Sequence, residues 1–250
     1  MGRAFEFRKE RKLKRWGHMA KTFTKIGKEI TIAVKQGGPD VVGNSRLRAL
    51  MAEARSENMP KDNVEKAIKR ALEKNQGDFK EVVFEGYGPH GIAYLVETAT
   101  DNNTRTVANV RSYFTKCGGS LGTSGSVSFM FDHKCVFRIK YQEGMDLDEL
   151  QLALCECDDD PEVFIEEQED KDENITKNVV IYGAYESYGA IQKYIEDNGY
   201  ELVSGGFERI PNVELKDVTP EQRETLDKLT GLLEDDDDVT NVYSTLKPEE

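Results

Sequence analysis

The hydrophobic pattern of the chain changes its period near residue 77. Before that point, apolar residues recur at helical spacing in three stripes, within Phe23–Val34, Leu47–Ala54 and Val64–Leu72. After it, runs of strand length such as GIAYLVET (91–98) alternate with helical patterns. Three amphipathic helices with only each other to bury against form a small bundle. The pattern therefore predicts an N-terminal helical bundle followed by a region that contains both sheets and helices.

The second region is predicted to contain two domains. Residues 79–132 and 208–250 each show a strand–helix–strand pattern, with Ser126–Phe131 and Ile210–Leu215 among the predicted strands. Residues 133–207 follow the order β-α-β-β-α-β, which is typical of ferredoxin-like domains. The prediction is thus an α+β protein of three domains. They are a basic helical bundle at 1–78, a discontinuous α/β domain at 79–132 plus 208–250, and an inserted ferredoxin-like α/β domain at 133–207.

Charge is divided unequally between these regions. Residues 1–77 carry 19 Lys and Arg against 9 Asp and Glu, whereas residues 78–250 carry 15 against 38, so that the net charges are +10 and −23. A basic segment joined to an acidic body is typical of proteins that bind polyanions. The alternative is two ordinary domains with uneven solvated surfaces. Because the basic residues cluster within helices, the pattern favours nucleic-acid binding.

The basic residues of the predicted helices are the candidate phosphate ligands. Phosphate groups need cations at loose spacing and no particular rotamer, so clustering is the expected signature. Three asparagines, Asn44, Asn58 and Asn63, are near helix ends, where capping is favoured over base recognition. The candidate residues are Arg8, Lys9, Arg11, Lys12, Lys14, Arg15, Lys21, Lys25, Lys28, Arg46, Arg48, Lys61, Lys66, Lys69 and Arg70.

A second candidate surface lies in the discontinuous domain. The Gly-rich turn Glu85–Gly91 carries Tyr87 and His90, and Thr100–Arg105 precedes a predicted helix that carries Arg111. One interpretation is turn chemistry followed by a helix N-cap. The other is a loop that contacts RNA or a protein partner, where the aromatic ring of Tyr87 stacks on a base. The sequence does not decide between them.

No set of residues predicts catalysis. Gly118–Gly122 matches G-x-S-x-G around Ser120, but a nucleophile elbow joins a strand to a following helix, and here a helix precedes the motif. A Ser120-dependent acyl-transfer enzyme therefore remains only a remote alternative. The same segment, extended to Gly125, lacks the Lys of a phosphate-binding loop and is predicted to be a flexible connection.

No metal or cofactor site is predicted either. The acidic runs Asp158–Asp160 and Asp235–Asp238 lack the calcium-loop pattern and are expected to be solvated loops that repel nucleic acid. Cys155 and Cys157 do not have the C-x-x-C spacing of zinc or redox sites. We therefore expect no cofactor, no metal and no small-molecule substrate.

The remaining sequence features concern the cellular compartment in which the protein is located. No apolar run approaches the length of a membrane helix, and the first residues lack the apolar region of a secretory signal. The chain has 4 cysteines, too few for a disulfide scaffold. These features predict a cytoplasmic protein without a membrane partner.

Three segments strongly resemble the YebC/PmpR family, which includes the mitochondrial translational activator of cytochrome c oxidase. They are NSRLRALMAEARSENMPKDNVEKAIKR, EGYGPHGIAYLVETATDNNTRTVANVRSYFTKCGGSLGTSGSVSFMF and LLEDDDDVTNVYSTL. The resemblance implies three domains, one α/β domain being inserted in the other. This chain departs from the family at its start, where Gly2–Glu6 replaces the usual Gly-His-Ser-Lys-Trp, and at Ser45, where Pro is common.

The resemblance implies a regulator of gene expression, with two kinds of target. Some members are labelled DNA-binding transcriptional regulators, whereas others act in translation and resemble ribosome-associated factors that relieve stalling at proline-rich stretches. The sequence shows no helix-turn-helix signature, and a body of net charge −23 is repelled along extended duplex DNA. We therefore expect a translation factor that binds ribosomal RNA, with ribosomal proteins as further partners. A DNA-binding transcriptional regulator is the alternative.

Overall fold

A computed structural model describes residues 3–73, 78–169 and 175–248, without the side chains of residues 3–19, 168, 169 and 175. These residues form seven α-helices and two four-stranded antiparallel sheets, which confirms the α+β class. The helices are α1 (Arg3–Gly37), α2 (Ser45–Ser56), α3 (Lys61–Leu72), α4 (Asn103–Lys116), α5 (Leu147–Leu154), α6 (Tyr188–Asp197) and α7 (Pro220–Glu234). The strands are β1 (Lys80–Tyr87), β2 (Ala93–Thr100), β3 (Ser120–Leu121), β4 (Phe131–Lys140), β5 (Glu162–Glu169), β6 (Ile175–Ala184), β7 (Leu202–Pro211) and β8 (Val239–Ser244).

The chain divides into two compact units. Unit 1 comprises Met1–Ile32, Met59–Phe131 and Pro211–Glu250, and unit 2 comprises Ala33–Asn58 and Asp132–Ile210. Unit 1 thus holds α3 and most of α1, whereas α2 belongs to unit 2. The predicted helices are present, but they are distributed over both units. The three-domain division into 1–78, 79–132 plus 208–250, and 133–207 stays a prediction.

Unit 1 is built on a sheet of order β3-β1-β2-β8. Strand β1 pairs with β2 along its whole length, from Lys80↔Thr100 to Tyr87↔Ala93. Helices α4 and α7 pack against this sheet through a core that includes Tyr94, Phe114 and Leu229. Apolar residues at the pleat spacing of the strands and at the turn spacing of the helices supply this core.

Unit 2 contains a sheet of order β5-β6-β4-β7, and its elements follow the predicted order β-α-β-β-α-β. Phe137 and Ile139 of β4 form a core with Leu150 of α5 and Ile191 of α6. Ala49 of α2 joins the same core. The apolar stripe of α2 is therefore buried partly against a sheet domain, and not only against other helices.

Several helix ends follow the local sequence. The side chain of Asn44 accepts a hydrogen bond from the Leu47 N–H and so caps α2, as predicted. Asp146 caps α5 by accepting from the N–H groups of Asp148 and Glu149. Thr219 and Gln222 form a reciprocal capping box at the start of α7.

Two strand predictions are wrong. Ser126–Phe131 contains a short 3-10 helix, Ser128–Met130, because the Glu85 carboxylate binds the N–H groups of Val127 and Ser128. Ile210–Leu215 is not a separate strand, since β7 runs through to Pro211. Strand β1 was not predicted.

Candidate nucleic-acid interface

Helix α3 presents a cationic face to solvent. Val64, Ala67 and Ala71 are buried on one side of the helix, whereas its charged side chains are exposed. The exposed cations are Lys61, Lys66, Lys69 and Arg70. The exposed acid Asp62 lies in the first turn of the helix, where the helix dipole favours negative charge, and the exposed acid Glu65 follows in the next turn. We call these four cations the α3 basic face.

The lysines of the α3 basic face make no ion pair with any residue that the structure describes. None of Lys61, Lys66 and Lys69 contacts a carboxylate whose position the structure describes. Arg70 differs, because its guanidinium lies over the Phe79 ring, 4.8 Å from the ring centroid. The three lysines are therefore available to an external anion, whereas Arg70 also contributes to packing.

The predicted phosphate ligands of α1 have a different environment. Lys21, Lys25 and Lys28 contact the segment Glu234–Asp238, which we call the acidic loop. Lys21 Nζ lies 2.7 Å from an Asp235 carboxylate oxygen, and Lys25 Nζ donates to the Glu234 carbonyl oxygen at 3.0 Å. The Lys25 contact satisfies a carbonyl group at the carboxyl end of α7, where backbone carbonyl groups lack helical partners.

Lys28 is the most deeply placed of the three lysines. Its Nζ donates to an Asp238 carboxylate oxygen at 2.8 Å, to the Asp237 carbonyl oxygen at 2.7 Å and to the Ala99 carbonyl oxygen at 3.2 Å. The Lys28 side chain is only 11% exposed and that of Asp238 only 6%. Lys28 is thus fully engaged within unit 1.

Asp238 is the centre of a polar network. One of its carboxylate oxygens also accepts hydrogen bonds from Arg105 Nη2 at 2.7 Å and Thr106 Oγ1 at 2.9 Å. Burial alone would raise the pKa of Asp238, but the hydrogen bonds from Lys28, Arg105 and Thr106 outweigh it and lower the pKa to about 2. Asp238 is therefore an ionised structural residue at neutral pH.

Asp236 extends this network along α4. It accepts hydrogen bonds from Asn109 Nδ2 at 3.1 Å and from Tyr113 Oη at 2.9 Å. Burial and this carboxylate raise the pKa of Tyr113 to about 12. The prediction that Asp235–Asp238 is a solvated loop is wrong for Asp236 and Asp238, since both are buried. The sequence alone did not show that Lys28 of α1 is a partner of Asp238, or that Asn109 and Tyr113 of α4 are partners of Asp236.

The two predicted arginines of α2 also have partners inside the protein. Arg48 Nε pairs with the Glu196 carboxylate at 2.8 Å, and Arg48 Nη1 donates to the carbonyl oxygens of Val41 and Val42. Arg46 Nη1 donates to Gln36 Oε1 at 3.1 Å. The remaining candidates lie on the helical backbone of α1, but their side chains fall outside the described residues. They are Arg8, Lys9, Arg11, Lys12, Lys14 and Arg15.

The second candidate surface is only partly exposed. Tyr87 is half-buried, and its hydroxyl donates to the Ser126 carbonyl oxygen at 3.2 Å. His90 is exposed in a left-handed turn with φ 62°, and Arg111 is exposed on α4. Arg105 pairs with Asp101 and Asp238, and Asn102 caps α4. The turn-and-cap interpretation therefore describes the local geometry, while contact with RNA or a partner stays a prediction.

Glu85 is a structural residue that the sequence analysis missed. It is 5% exposed, and its carboxylate accepts from the N–H groups of Gly125 at 2.7 Å and of Val127 and Ser128 at 2.8 Å each. Burial acts to raise the pKa of Glu85, but the three backbone N–H groups outweigh it and hold the pKa below its ordinary value. The Gly-rich segment that ends at Gly125 is therefore fixed at this end, contrary to the predicted flexible connection.

The geometry around Ser120 does not match a nucleophile elbow. Ser120 lies exposed in β3, which follows α4 and is not followed directly by a helix.

Among the residues that the structure describes, no three His, Cys, Asp or Glu side chains are grouped so as to hold a metal ion. No described helix is both long and apolar enough to cross a membrane.

Two protein-family models together match nearly the whole chain. Residues 3–74 match the model described as "TACO1/YebC protein N-terminal domain", and residues 79–246 match "TACO1/YebC second and third domain". The chain belongs to the YebC/PmpR family. The resemblance drawn from the three sequence segments is thereby confirmed.

Individual relatives of this YebC/PmpR chain are similar over their full length. A protein of Parabacteroides distasonis named "Probable transcriptional regulatory protein" is 60% identical over 250 residues, which cover 100% of this chain and 98% of the relative. A protein of the same name from Porphyromonas gingivalis is 58% identical, with 100% and 99% covered. A solved structure, the conserved hypothetical protein Aq1575 of Aquifex aeolicus, has a TM-score of 0.75 and 33% identity, covering 92% of this chain and 91% of that one.

Proposed function

We propose that this chain is a non-enzymatic regulator of gene expression that binds nucleic acid through the α3 basic face. The supporting observation is the contrast between two sets of lysines. Lys21, Lys25 and Lys28 contact the acidic loop, whereas Lys61, Lys66 and Lys69 are exposed and make no ion pair with the described residues. Exposed cations grouped on one helix face are the electrostatic footprint of phosphate binding.

The chemistry of the α3 basic face favours phosphate contact over base recognition. The exposed charged side chains of α3 are these three lysines and one arginine together with two acids, and Asn63 is half-buried. Base recognition in the major groove commonly uses Asn, Gln or Arg side chains that reach base edges. An interface made mainly of Lys–phosphate contacts positions a protein on a nucleic acid without specifying a long sequence.

We infer that the target is ribosomal RNA and that the protein acts in translation in the cytoplasm. The body of net charge −23 is repelled along extended duplex DNA but is compatible with docking to a folded RNA, where it can face basic ribosomal proteins. A DNA-binding transcriptional regulator is the second candidate, and the names of the relatives favour it. The Ser120-dependent enzyme remains a third candidate, and an unchanged phenotype of Ser120→Ala would exclude it.

Sedimentation through a sucrose gradient tests this proposal. The variant is Lys66→Glu with Lys69→Glu, which leaves the stacked Arg70 in place. The matched control is Lys193→Glu with Lys228→Glu, since both lysines are exposed helix residues and the charge change is identical. We expect the wild type and the control to co-migrate with ribosomal particles at physiological salt, and the Lys66/Lys69 variant to remain at the top.

Each other outcome has a definite meaning. If the wild type stays at the top while the purified protein retards a promoter duplex, the transcriptional candidate replaces the translational one. If the Lys66/Lys69 variant co-migrates with ribosomal particles as the wild type does, the α3 basic face is not the interface.

A further inference from the structure

The contacts between α1 and the acidic loop form a gradient from buried to exposed. Lys21, Lys25 and Lys28 are spaced by four and three residues and so lie on one side of α1. At the buried end, the Lys28 and Asp238 side chains are almost inaccessible to solvent. At the exposed end, the Lys21 side chain is 41% accessible and that of Asp235 is 75% accessible. The two ends therefore differ in how readily another anion can replace the carboxylate.

The carboxylate at the exposed end, Asp235, is suited to exchange with another anion. The Coulomb energy of an ion pair between solvent-exposed side chains is small because the dielectric constant of water is high, and salt screens it further. Among the described residues, the Asp235 carboxylate makes its one ion pair with Lys21, whereas the Asp238 carboxylate receives hydrogen bonds from several side chains. An external phosphate can thus displace Asp235 from Lys21 without disturbing the buried anchor.

One of the α1 lysines, Lys28, lies close to the α3 basic face. Lys28 Nζ lies 5.4 Å from the centroid of the Phe79 ring, and the Arg70 guanidinium lies 4.8 Å from the same centroid. Phe79 therefore joins the two sets of cations within unit 1. A phosphate backbone that follows the α3 basic face towards Arg70 therefore approaches α1 at Lys28, and Lys25 and Lys21 continue along the same side of α1 from that point.

We propose that the acidic loop is an autoinhibitory anion that competes with nucleic acid for Lys21. In the free protein Asp235 occupies Lys21, so the phosphate footprint is restricted to the α3 basic face. A polyanion that binds Lys21 must first displace Asp235. Because breaking the Lys21–Asp235 ion pair costs free energy, it lowers the affinity of the protein for nucleic acid. The inference rests on the proposed function, since it assumes that the α3 basic face binds phosphate.

Two neighbouring aspartates provide a matched test. Asp235→Asn removes the partner of Lys21, whereas Asp237→Asn removes the same charge from an exposed side chain that makes no ion pair with a described residue. Binding of single-stranded oligouridylate is measured for each variant across a range of salt concentrations. We expect Asp235→Asn to steepen the dependence of log K on log salt by about 0.7, the contribution of one added phosphate contact on a single strand. With equal affinities of the wild type and the Asp235→Asn variant at 1 M salt as the reference, this difference in slope makes the variant bind about fivefold more tightly at 0.1 M salt.

The control variants separate the possible outcomes. Asp237→Asn is expected to leave the slope unchanged, and Lys21→Gln introduced into the Asp235→Asn variant is expected to abolish the gain. Equal gains from Asp235→Asn and Asp237→Asn, or no gain from either, overturn the autoinhibitory role. If the autoinhibitory role is overturned in this way and the Lys66/Lys69 variant still loses binding, the proposed function stands without the autoinhibitory role. If the wild type does not bind oligouridylate, ribosomal RNA or duplex DNA, both proposals fail.

Discussion

At the scale of single residues, the identity of a side chain does not reveal its partner. The lysines of α1 and α3 have similar surroundings in the sequence, yet Lys21 pairs with Asp235, 214 positions further along the chain. The clustering of basic residues could be predicted because it is local. The assignment of Lys28 to a buried network could not, since it depends on where the fold brings Asp238.

The Asp238 carboxylate makes unfolding dependent on pH. Its pKa in the folded protein is about 2, below the ordinary value of 3.8, so the ionised form stabilises the fold fully above about pH 4. This stabilisation is lost as the pH falls from about 4 to about 2, and it amounts to about 2 kcal/mol. Urea unfolding at about pH 5 and about pH 2.5 measures the difference in the free energy of unfolding.

The variants Asp238→Asn and Asp237→Asn distinguish the contribution of Asp238 to the pH dependence of unfolding from the contributions of the other carboxylates. We expect Asp238→Asn to be less stable than the wild type at neutral pH, because Lys28 is left buried without its counter-ion. Its loss of stability between the two pH values is expected to be smaller than that of the wild type. Asp237→Asn should retain the wild-type pH dependence. An Asp238→Asn variant with the full wild-type pH dependence would contradict the assigned network.

At the scale of secondary-structure elements, local signals identified most helices and missed contacts between distant segments. The capping box of α7 and the apolar stripe of α3 lie within a few residues, so the sequence was sufficient to find them. The false strand at Ser126–Phe131 arose because Glu85, 40 or more residues earlier, binds the N–H groups that a strand would use. Strand β3 has two residues and carries no detectable period.

Gly86 shows how closely these elements approach one another. A Cβ atom at this position would lie 2.7 Å from the Ser120 carbonyl oxygen and 3.0 Å from the Phe114 ring. Gly86→Ala is therefore expected to lower the free energy of unfolding by about 1–3 kcal/mol through overpacking between β1, β3 and α4. Thermal or urea denaturation measures the change.

A helical glycine in the same unit supplies the control. A Cβ atom at Gly231 of α7 would have no neighbour within 4 Å. Gly231→Ala should therefore stabilise the protein by up to about 1 kcal/mol, through the higher helix propensity of Ala. If Gly86→Ala were as stable as the wild type, the close packing of β3 against β1 would be incorrect.

At the scale of the whole molecule, charge and family resemblance carried the functional inference. The division between a basic N-terminal segment and an acidic body was visible in the sequence, and the match to the YebC/PmpR family confirmed the resemblance. The distribution of the helices over two units was not visible, because an apolar stripe such as that of α2 does not specify which surface covers it. Part of the acidic body also has a role that composition concealed, since the acidic loop binds the lysines of α1.

The salt dependence of nucleic-acid binding tests the central claim most directly. The purified wild type, the Lys66→Glu/Lys69→Glu variant and the Lys193→Glu/Lys228→Glu control are titrated with a single-stranded ribosomal RNA fragment over a range of salt concentrations. We expect the slope of log K against log salt to become shallower by about 1.4 in the Lys66/Lys69 variant, since two phosphate contacts are lost, and to remain unchanged in the control. Equal slopes for all three proteins would contradict the assignment of the α3 basic face as the phosphate-binding surface.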